Sequence, residues 1–338
     1  MARGPTLRQI AKKLGVNVST VSRALGGDPG VGRRRAEEIR ALAASLGYRP
    51  QPVRRKRSGA IGLLVATDTP GRPDDYFQQR VIVLVADESS KRGLHLHVEF
   101  VPRDERPKAL PAIVDENRVD GVLLSGHPHA SLCSRIKKLG LPAGVIHDSA
   151  SRTGLDCVTV SVEDAMRTAV SRLVAFGCRT LAYVASDVRY PTVAARVEAF
   201  RSAAKSSSLG ARACRVMDGF GTGLGGGRDV VARLVEKDRL SHALLFQNDV
   251  MAIGAMYELA RRGTEVPREI SILGYDDIVM AKEIAPALSS FDQGEREAVA
   301  AALDLLRERV DDGGGPARER AIAARLVWRD SCGPREGG

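Results

Sequence analysis

Residues 6–25 read TLRQIAKKLGVNVSTVSRAL. Apolar side chains recur at helical spacing over residues 7–14, and Gly15 predicts the end of that first helix. A second helix is predicted over residues 18–25 after a tight turn, and a third over residues 33–46. This spacing is typical of a helix-turn-helix, whose second helix lies in the major groove of DNA.

The outward side chains of the second helix are expected to meet base edges or phosphates. Arg23 is the candidate for a bidentate contact with guanine, because its guanidinium matches the two acceptors of that base. Thr6 and Asn17 are also placed to cap the first and second helices. The candidate DNA-binding residues of this segment are Thr6, Leu7, Asn17, Val18, Ser19, Thr20, Ser22 and Arg23.

Positive charge is concentrated in the same part of the chain. The 338 residues carry a net charge of +10, yet the first 58 contain 14 Lys or Arg and only 3 Asp or Glu, so the rest is nearly neutral. A basic head on a neutral body is typical of nucleic-acid binders, because neutralising phosphates releases counterions. A solvated basic face and a membrane-surface patch are the alternatives.

Residues 6–25 resemble the DNA-binding head of the lac repressor/galactose repressor family, as does the sequence LGYRP at residues 46–50. Family members continue with a hinge helix whose leucine wedges into the minor groove. Compared with that hinge, the linker at residues 50–59 has no leucine, is shorter and carries an extra proline. We therefore expect DNA binding that depends more on salt, and DNA that is less kinked, than is usual in the family. Val53 is the candidate substitute wedge, and Arg54 and Arg55 are candidate DNA contacts.

Strand-like and helix-like segments alternate after residue 58, which predicts parallel sheets built from right-handed crossovers. The predicted fold is a small all-α helix-turn-helix head plus an α/β body of two doubly wound, periplasmic-binding-protein-like lobes. The predicted domains are the head (1–49), a basic linker (50–59) and the body (60–338). Lobe 1 is expected at about 60–161 and 292–322, and lobe 2 at about 162–291 and 323–331.

Ligands of open parallel sheets bind beyond the carboxyl ends of the strands, so the loops there are candidate effector contacts. Resemblance to the family's regulatory core assigns this role to Arg196, Asn248 and Asp276, whose guanidinium, amide and carboxylate suit a polar ligand. The alternative for Arg196 and Asp276 is a purely structural ion pair. The candidate effector-binding residues are Asp68, Phe77, His147, Thr192, Arg196, Phe220, Asn248 and Asp276.

The sequence departs from the family at several body positions. His147 stands where a carboxylate often contacts sugar, and Ser161-Val162 stands where the family generally has Asp-Asn. The effector class therefore stays open between a sugar, a sugar derivative and a nucleobase-like molecule. A pocket that has lost its small molecule is a further alternative.

Other classes of protein receive little support. The glycines at 221, 223 and 226 fit a dinucleotide fingerprint only superficially, and a flexible glycine loop is the preferred interpretation. His127-Pro128-His129 is interpreted as an exposed loop rather than a metal site. Five scattered cysteines indicate neither a disulfide framework nor a zinc site. No nucleophile-elbow motif supports a hydrolase, so an enzyme is not expected.

The sequence thus predicts a ligand-responsive transcription regulator, and specifically a repressor. Its expected partners are near-palindromic double-stranded operator DNA, a small-molecule effector and a second copy of the chain, with no cofactor, metal or membrane. A free-standing solute-binding protein shares the two-lobed body, but would need an export signal where this chain has its basic head. We expect a cytoplasmic, nucleoid-associated homodimer without a tetramerising coiled coil.

Overall fold

The computed structural model describes residues 7–25, 30–46, 58–67, 76–103, 109–237 and 240–334. The chain divides into two compact units, Met1–Ser58 and Gly59–Gly338. We call these units the head and the body. No helix within the described ranges is long and apolar enough to cross a membrane.

The head consists of three helices: α1 (Leu7–Leu14), α2 (Val18–Leu25) and α3 (Arg33–Ser45). Ile10, Val21 and Ile39, one from each helix, are fully buried together. The predicted helical bundle is therefore confirmed, and the third helix ends one residue earlier than expected.

The body contains twelve described strands and ten described α-helices, and it begins with a strand. The strands are β1 (Ala60–Thr67), β2 (His95–Pro102), β3 (Gly121–Ser125), β4 (Ala143–Ile146), β5 (Asp156–Ser161), β6 (Leu181–Val184), β7 (Cys214–Met217), β8 (Ala243–Phe246), β9 (Ser271–Tyr275), β10 (Ser289–Asp292), β11 (Glu319–Ala323) and β12 (Arg325–Val327). The helices are α4 (Tyr76–Lys91), α5 (Ala112–Asp115), α6 (Ala130–Leu139), α7 (Ala150–Thr153), α8 (Glu163–Ala175), α9 (Pro191–Ser206), α10 (Leu224–Glu236), α11 (Asp249–Arg261), α12 (Val279–Glu283) and α13 (Glu295–Asp312).

Two six-stranded sheets form the two lobes of the body. The first sheet has the order β11-β5-β4-β3-β1-β2 and is parallel throughout. The second has the order β12-β10-β9-β8-β6-β7, and only β12 is antiparallel to its neighbour. The chain passes between the lobes after β5, after β10 and after β11. The predicted pair of doubly wound lobes is confirmed.

Helices cover both faces of each sheet, as a parallel sheet requires. In β1, Leu63 and Val65 pack with α4 and α13, whereas Leu64 faces the opposite core beside α6. In the second lobe, α8 and α9 cover one face and α10 and α11 the other. The strand ends that carry the loops are therefore held by buried packing.

Helix α4 uses its apolar side chains inside its own lobe. Val81, Leu84, Val85 and Glu88 are all buried, and the three apolar ones belong to the core beneath the sheet. These three apolar side chains therefore cover the sheet of the first lobe.

The glycine-rich segment also differs from expectation. Helix α10 begins at Leu224, so Gly225, Gly226 and Gly227 are helical rather than part of a flexible loop. A Cβ atom on Gly227 would lie 1.9 Å from the carbonyl oxygen of Met251. Gly227 therefore permits the close packing of α10 against α11.

Two elements of the body are short. Helix α5 is a single turn, and residues 104–108 before it lie outside the described ranges. A turn of 3-10 helix, Ala211–Ala213, leads directly into β7 at Cys214.

Candidate functional site

The turn between α1 and α2 is fixed by backbone contacts. Gly15 adopts a positive φ of 62°, which favours glycine, and the amide of Val16 donates to the carbonyl of Ala11 at 3.1 Å. The carbonyl of Asn17 then accepts from the amide of Thr20 at 2.9 Å. The two helices are thereby set in the arrangement that the sequence predicted.

Helix α2 turns Val21 and Ala24 into the core of the head and leaves the other side free. Asn17, Val18, Ser19 and Arg23 are exposed, Thr20 and Ser22 are half-buried, and Leu7 is half-buried against the core. Within the described ranges, no hydrogen bond or ion pair engages the Arg23 guanidinium. The predicted contacts Thr6, Val53, Arg54 and Arg55 lie outside the described residues.

The loops at the carboxyl ends of the strands meet in a cavity of about 120 Å³ between the two lobes of the body. Phe77, His147, Thr192, Arg196, Asn248 and Asp276, six of the predicted effector contacts, line it. It is lined as well by Gln78, Arg103, Gly126, His127, Ser186, Tyr190, Val193, Thr222 and Gln247.

Arg196 projects from α9 into this cavity. Its Nη1 donates to the carbonyl oxygen of Gln247 at 2.8 Å, and its guanidinium carbon lies 3.7 Å from the centre of the Tyr275 ring. Burial works against the charge, but Tyr275, Tyr183 and Asp276 together raise the pKa of Arg196 above its usual value. The side chain is a fixed cation with further N–H donors left for a ligand.

Asp276 follows β9 and is 8% exposed. Its Oδ1 accepts a hydrogen bond from Gln293 Nε2 at 2.8 Å, and its backbone has a positive φ of 107°. Arg196 and Asp276 therefore attract one another electrostatically, while each is also held by another group. Each side chain therefore has a partner besides the other one, in contrast to the purely structural ion pair considered from the sequence.

His147 is a buried imidazole. It is 6% exposed, neither ring nitrogen has a hydrogen bond to any described residue, and its ring lies 5.0 Å from that of Phe77. Burial, aided by the charge of Arg196, lowers the pKa of His147 to about 3. The ring is therefore neutral near pH 7 and offers one donor and one acceptor toward the cavity.

Asn248 and Phe220 fit the predicted role less directly. The Asn248 side chain caps α11 by accepting from the amide of Met251 at 2.8 Å, and it donates to the carbonyl of Thr222 at 3.0 Å. Phe220 lies outside the cavity lining, in the core of the second lobe, where Arg233 stacks on its ring at 4.8 Å. Asp68 is outside the described residues.

His127 lines the cavity but was not predicted as an effector contact. The interpretation of residues 127–129 as an exposed loop is wrong: Pro128 is buried, and the His127 side chain is 18% exposed. His127 Nε2 lies 3.0 Å from Thr192 Oγ1 of the other lobe. His129 instead caps α6, where its Nδ1 accepts from the amide of Ser131. The signal was available, because this segment follows β3 as the other site loops follow their strands.

Asp148, next to His147, is committed to the structure. Burial opposes its ionisation, but the hydrogen bond and charge of Arg152, together with hydrogen bonds from His127 and the amide of Ser149, outweigh burial and lower the pKa of Asp148 to about 2. All five cysteines are free thiols, and the described residues contain no group of three or more His, Cys, Asp or Glu that could hold a metal ion.

Two family models match these parts of the chain. Residues 6–51 match bacterial regulatory proteins of the lacI family, and residues 170–332 match the periplasmic binding protein-like domain. The class of protein is therefore a helix-turn-helix head joined to a periplasmic-binding-like body.

Curated relatives match over most of their length. The HTH-type transcriptional regulator GntR of Pseudomonas aeruginosa is 29% identical over 87% of this chain and 86% of its own. The HTH-type transcriptional repressor PurR of Haemophilus influenzae strain PittEE is 27% identical over 96% of this chain and 98% of its own. The chain is therefore similar over most of its length to these regulators, and it is a transcription regulator rather than an enzyme.

A solved structure with the same fold is the lac repressor dimer bound to operator and the anti-inducer ONPF. It superposes with a TM-score of 0.70 at 22% sequence identity, and the match covers 97% of this chain and 99% of the lac repressor chain.

Proposed function

We propose that this regulator is a homodimer that binds near-palindromic operator DNA through its two heads and a small polar effector between the lobes of each body. The observation that carries the proposal is the presence, in one chain, of an exposed Arg23 on a helix-turn-helix and of an interlobe cavity lined by the buried His147. Support comes from the lac repressor structure, a dimer with operator and a small molecule bound. The proposed location is the cytoplasm, at the nucleoid.

The cavity chemistry favours a compact ligand with several hydroxyl or ring-nitrogen groups. Neutral His147 donates one hydrogen bond and accepts another, Arg196 donates, and the Asp276 carboxylate accepts. The Phe77 ring adds an apolar contact beside His147. Sugars, sugar derivatives and nucleobase-like molecules meet these requirements, and the proposed contacts are Phe77, His147, Thr192, Arg196, Asn248 and Asp276.

The DNA part of the proposal is tested by recovering genomic fragments bound to the full-length protein. Titration of the enriched site at two salt concentrations then measures its affinity against that for unrelated DNA. We expect an enriched palindrome with one half-site for each head. Equal affinity for enriched and unrelated DNA would contradict it.

The effector part is tested by adding sugars, sugar acids and nucleobases to the wild-type complex with its operator. Asp276→Asn keeps an oxygen that can accept from Gln293 and tolerates a positive φ, but it removes the charge. We expect this variant to bind operator like the wild type and to lose the effector response. Loss of operator binding itself would reassign Asp276 to a structural role.

A further inference from the structure

Arg80 connects the two lobes at the edge of the effector cavity. It lies on α4 of the first lobe, where its Nε is 2.6 Å from Oε2 of Glu295 on α13 of the same lobe. Its Nη1 donates to the carbonyl oxygens of Asp276 and Asp277 in the second lobe, each at 3.1 Å. One guanidinium is therefore anchored in the first lobe and bonded to the second.

The turn whose carbonyls bond Arg80 has an unfavourable backbone conformation. Asp276 and Asp277 are consecutive non-glycine residues with positive φ values of 107° and 47°. Such residues persist only where the surroundings hold them. Their amides are held within the second lobe by the carbonyl of Phe291 at 2.9 Å and by Ser290 Oγ at 3.1 Å. Arg80 is the contact that holds their carbonyls from the first lobe.

A second path runs from Arg80 back to the Asp276 side chain. Glu295, which pairs with Arg80, accepts a hydrogen bond from Gln293 Nε2 at 3.3 Å. The same Nε2 donates to Asp276 Oδ1 at 2.8 Å. Gln293 and Glu295 are almost completely buried, so this network is shielded from water and its bonds reinforce one another. Both the backbone carbonyl and the carboxylate of Asp276 are thus connected to the Arg80–Glu295 pair.

We propose that Arg80 is a positioning residue that couples the angle between the lobes to the orientation of the Asp276 carboxylate in the cavity. The inference rests on the proposed function, since Asp276 is a proposed effector contact. Separation of the lobes removes the two carbonyl bonds of Arg80 and lets the turn relax. A ligand that displaces Asp276 shifts, by the same contacts, the preferred angle between the lobes.

The first test measures the distance between the lobes in the full-length protein without DNA or effector. Spin labels on Lys138→Cys and Glu236→Cys, in a Cys214→Ser background, report from the exposed ends of α6 and α10. We expect Arg80→Gln to shift the label distances to larger values and to broaden them. Arg80→Lys keeps the cation beside Glu295 and should give an intermediate distribution.

Arg296→Gln is the matched control. Arg296 also joins α13 to α4, through Asp87 and Glu88, but all of these residues lie in the first lobe. This variant should keep the wild-type label distances. Wild-type distances for Arg80→Gln, equal shifts for Arg296→Gln and Arg80→Gln, or no difference between Arg80→Lys and Arg80→Gln would each overturn the inference.

The second test is amide hydrogen exchange over residues 275–280. Loss of two hydrogen bonds to this turn should speed exchange there about tenfold in Arg80→Gln, while β8 stays protected and Arg296→Gln behaves like the wild type. Unchanged exchange in the turn would overturn the role assigned to Arg80. Because neither test uses DNA or effector, a failure here is distinct from a failure of the proposed regulator function.

Discussion

The head and the body present their binding groups in opposite ways. Arg23 of the head is exposed, whereas His147 and Asp276 of the body are each less than one-tenth exposed. DNA is larger than the head and approaches its surface, but a small molecule is held well only when several groups enclose it. Changes at the head surface should therefore alter binding alone, and changes inside the body should alter stability as well.

The largest effect is expected from Gly227→Ala in the body. A new Cβ would lie 1.9 Å from the Met251 carbonyl oxygen, so α10 must move away from α11. We expect a loss of more than about 3 kcal/mol in the free energy of unfolding. Gly225→Ala is the control in the same helix, since its Cβ would meet nothing within 4 Å; helix propensity predicts a gain of up to about 1 kcal/mol. Urea unfolding of both variants checks this difference.

His147 should make the stability of the body depend on pH. Burial and the nearby Arg196 charge lower its folded pKa to about 3, below the unfolded value of 6.5. Only the unfolded chain takes up this proton between those values, so stability is retained above pH 6.5 and lost as the pH falls. Relative to His147→Asn, the wild type should lose about 2 kcal/mol of unfolding free energy between pH 7 and pH 5. Parallel pH profiles from urea unfolding would show that His147 is not the group responsible.

Arg23→Ala tests the exposed side of the comparison. We expect a loss of about 1–3 kcal/mol in operator binding and a relaxed sequence preference, because a base contact is removed. The unfolding free energy should stay unchanged, since Arg23 has no partner within the described ranges. Arg40→Ala removes an equal charge from exposed α3 and should leave sequence preference intact. An unchanged preference in Arg23→Ala would contradict the assignment of α2 as the recognition helix.

The smallest effect is expected from Arg55→Ala in the basic linker. A lost phosphate contact should weaken binding to all sequences alike and reduce the salt slope by about one unit. Titrations at several salt concentrations on operator and unrelated DNA measure both quantities. A selective loss on operator DNA would instead assign Arg55 to base recognition.

Much of the fold could be predicted because it depends on local patterns. The ends of α1 and α2 follow from helical apolar spacing and from Gly15, and β4, β6 and β8 follow from short apolar runs. The prediction of a flexible loop was wrong for Gly226, which lies in α10. The packing role of its neighbour Gly227 depends on α11, which begins more than twenty residues later in the chain.

The candidate site was predictable in part. Loops after parallel strands, together with the family resemblance, identified His147, Arg196 and Asp276. His127 was missed because the His-Pro-His segment shows no local sign of burial, although its position after β3 indicated the site. Phe220 was predicted as an effector contact, but it packs in the second-lobe core against Arg233 instead.

The sequence by itself determined the class of protein, because charge, helical spacing and strand alternation are properties of neighbouring residues. It determined the basic head, the two-lobed body and the loops that hold the candidate site. Only the tertiary structure decided how those groups act together. The neutral state of His147 and the bond from Arg80 to the Asp276 turn both arise from burial and from contacts between residues far apart in the chain.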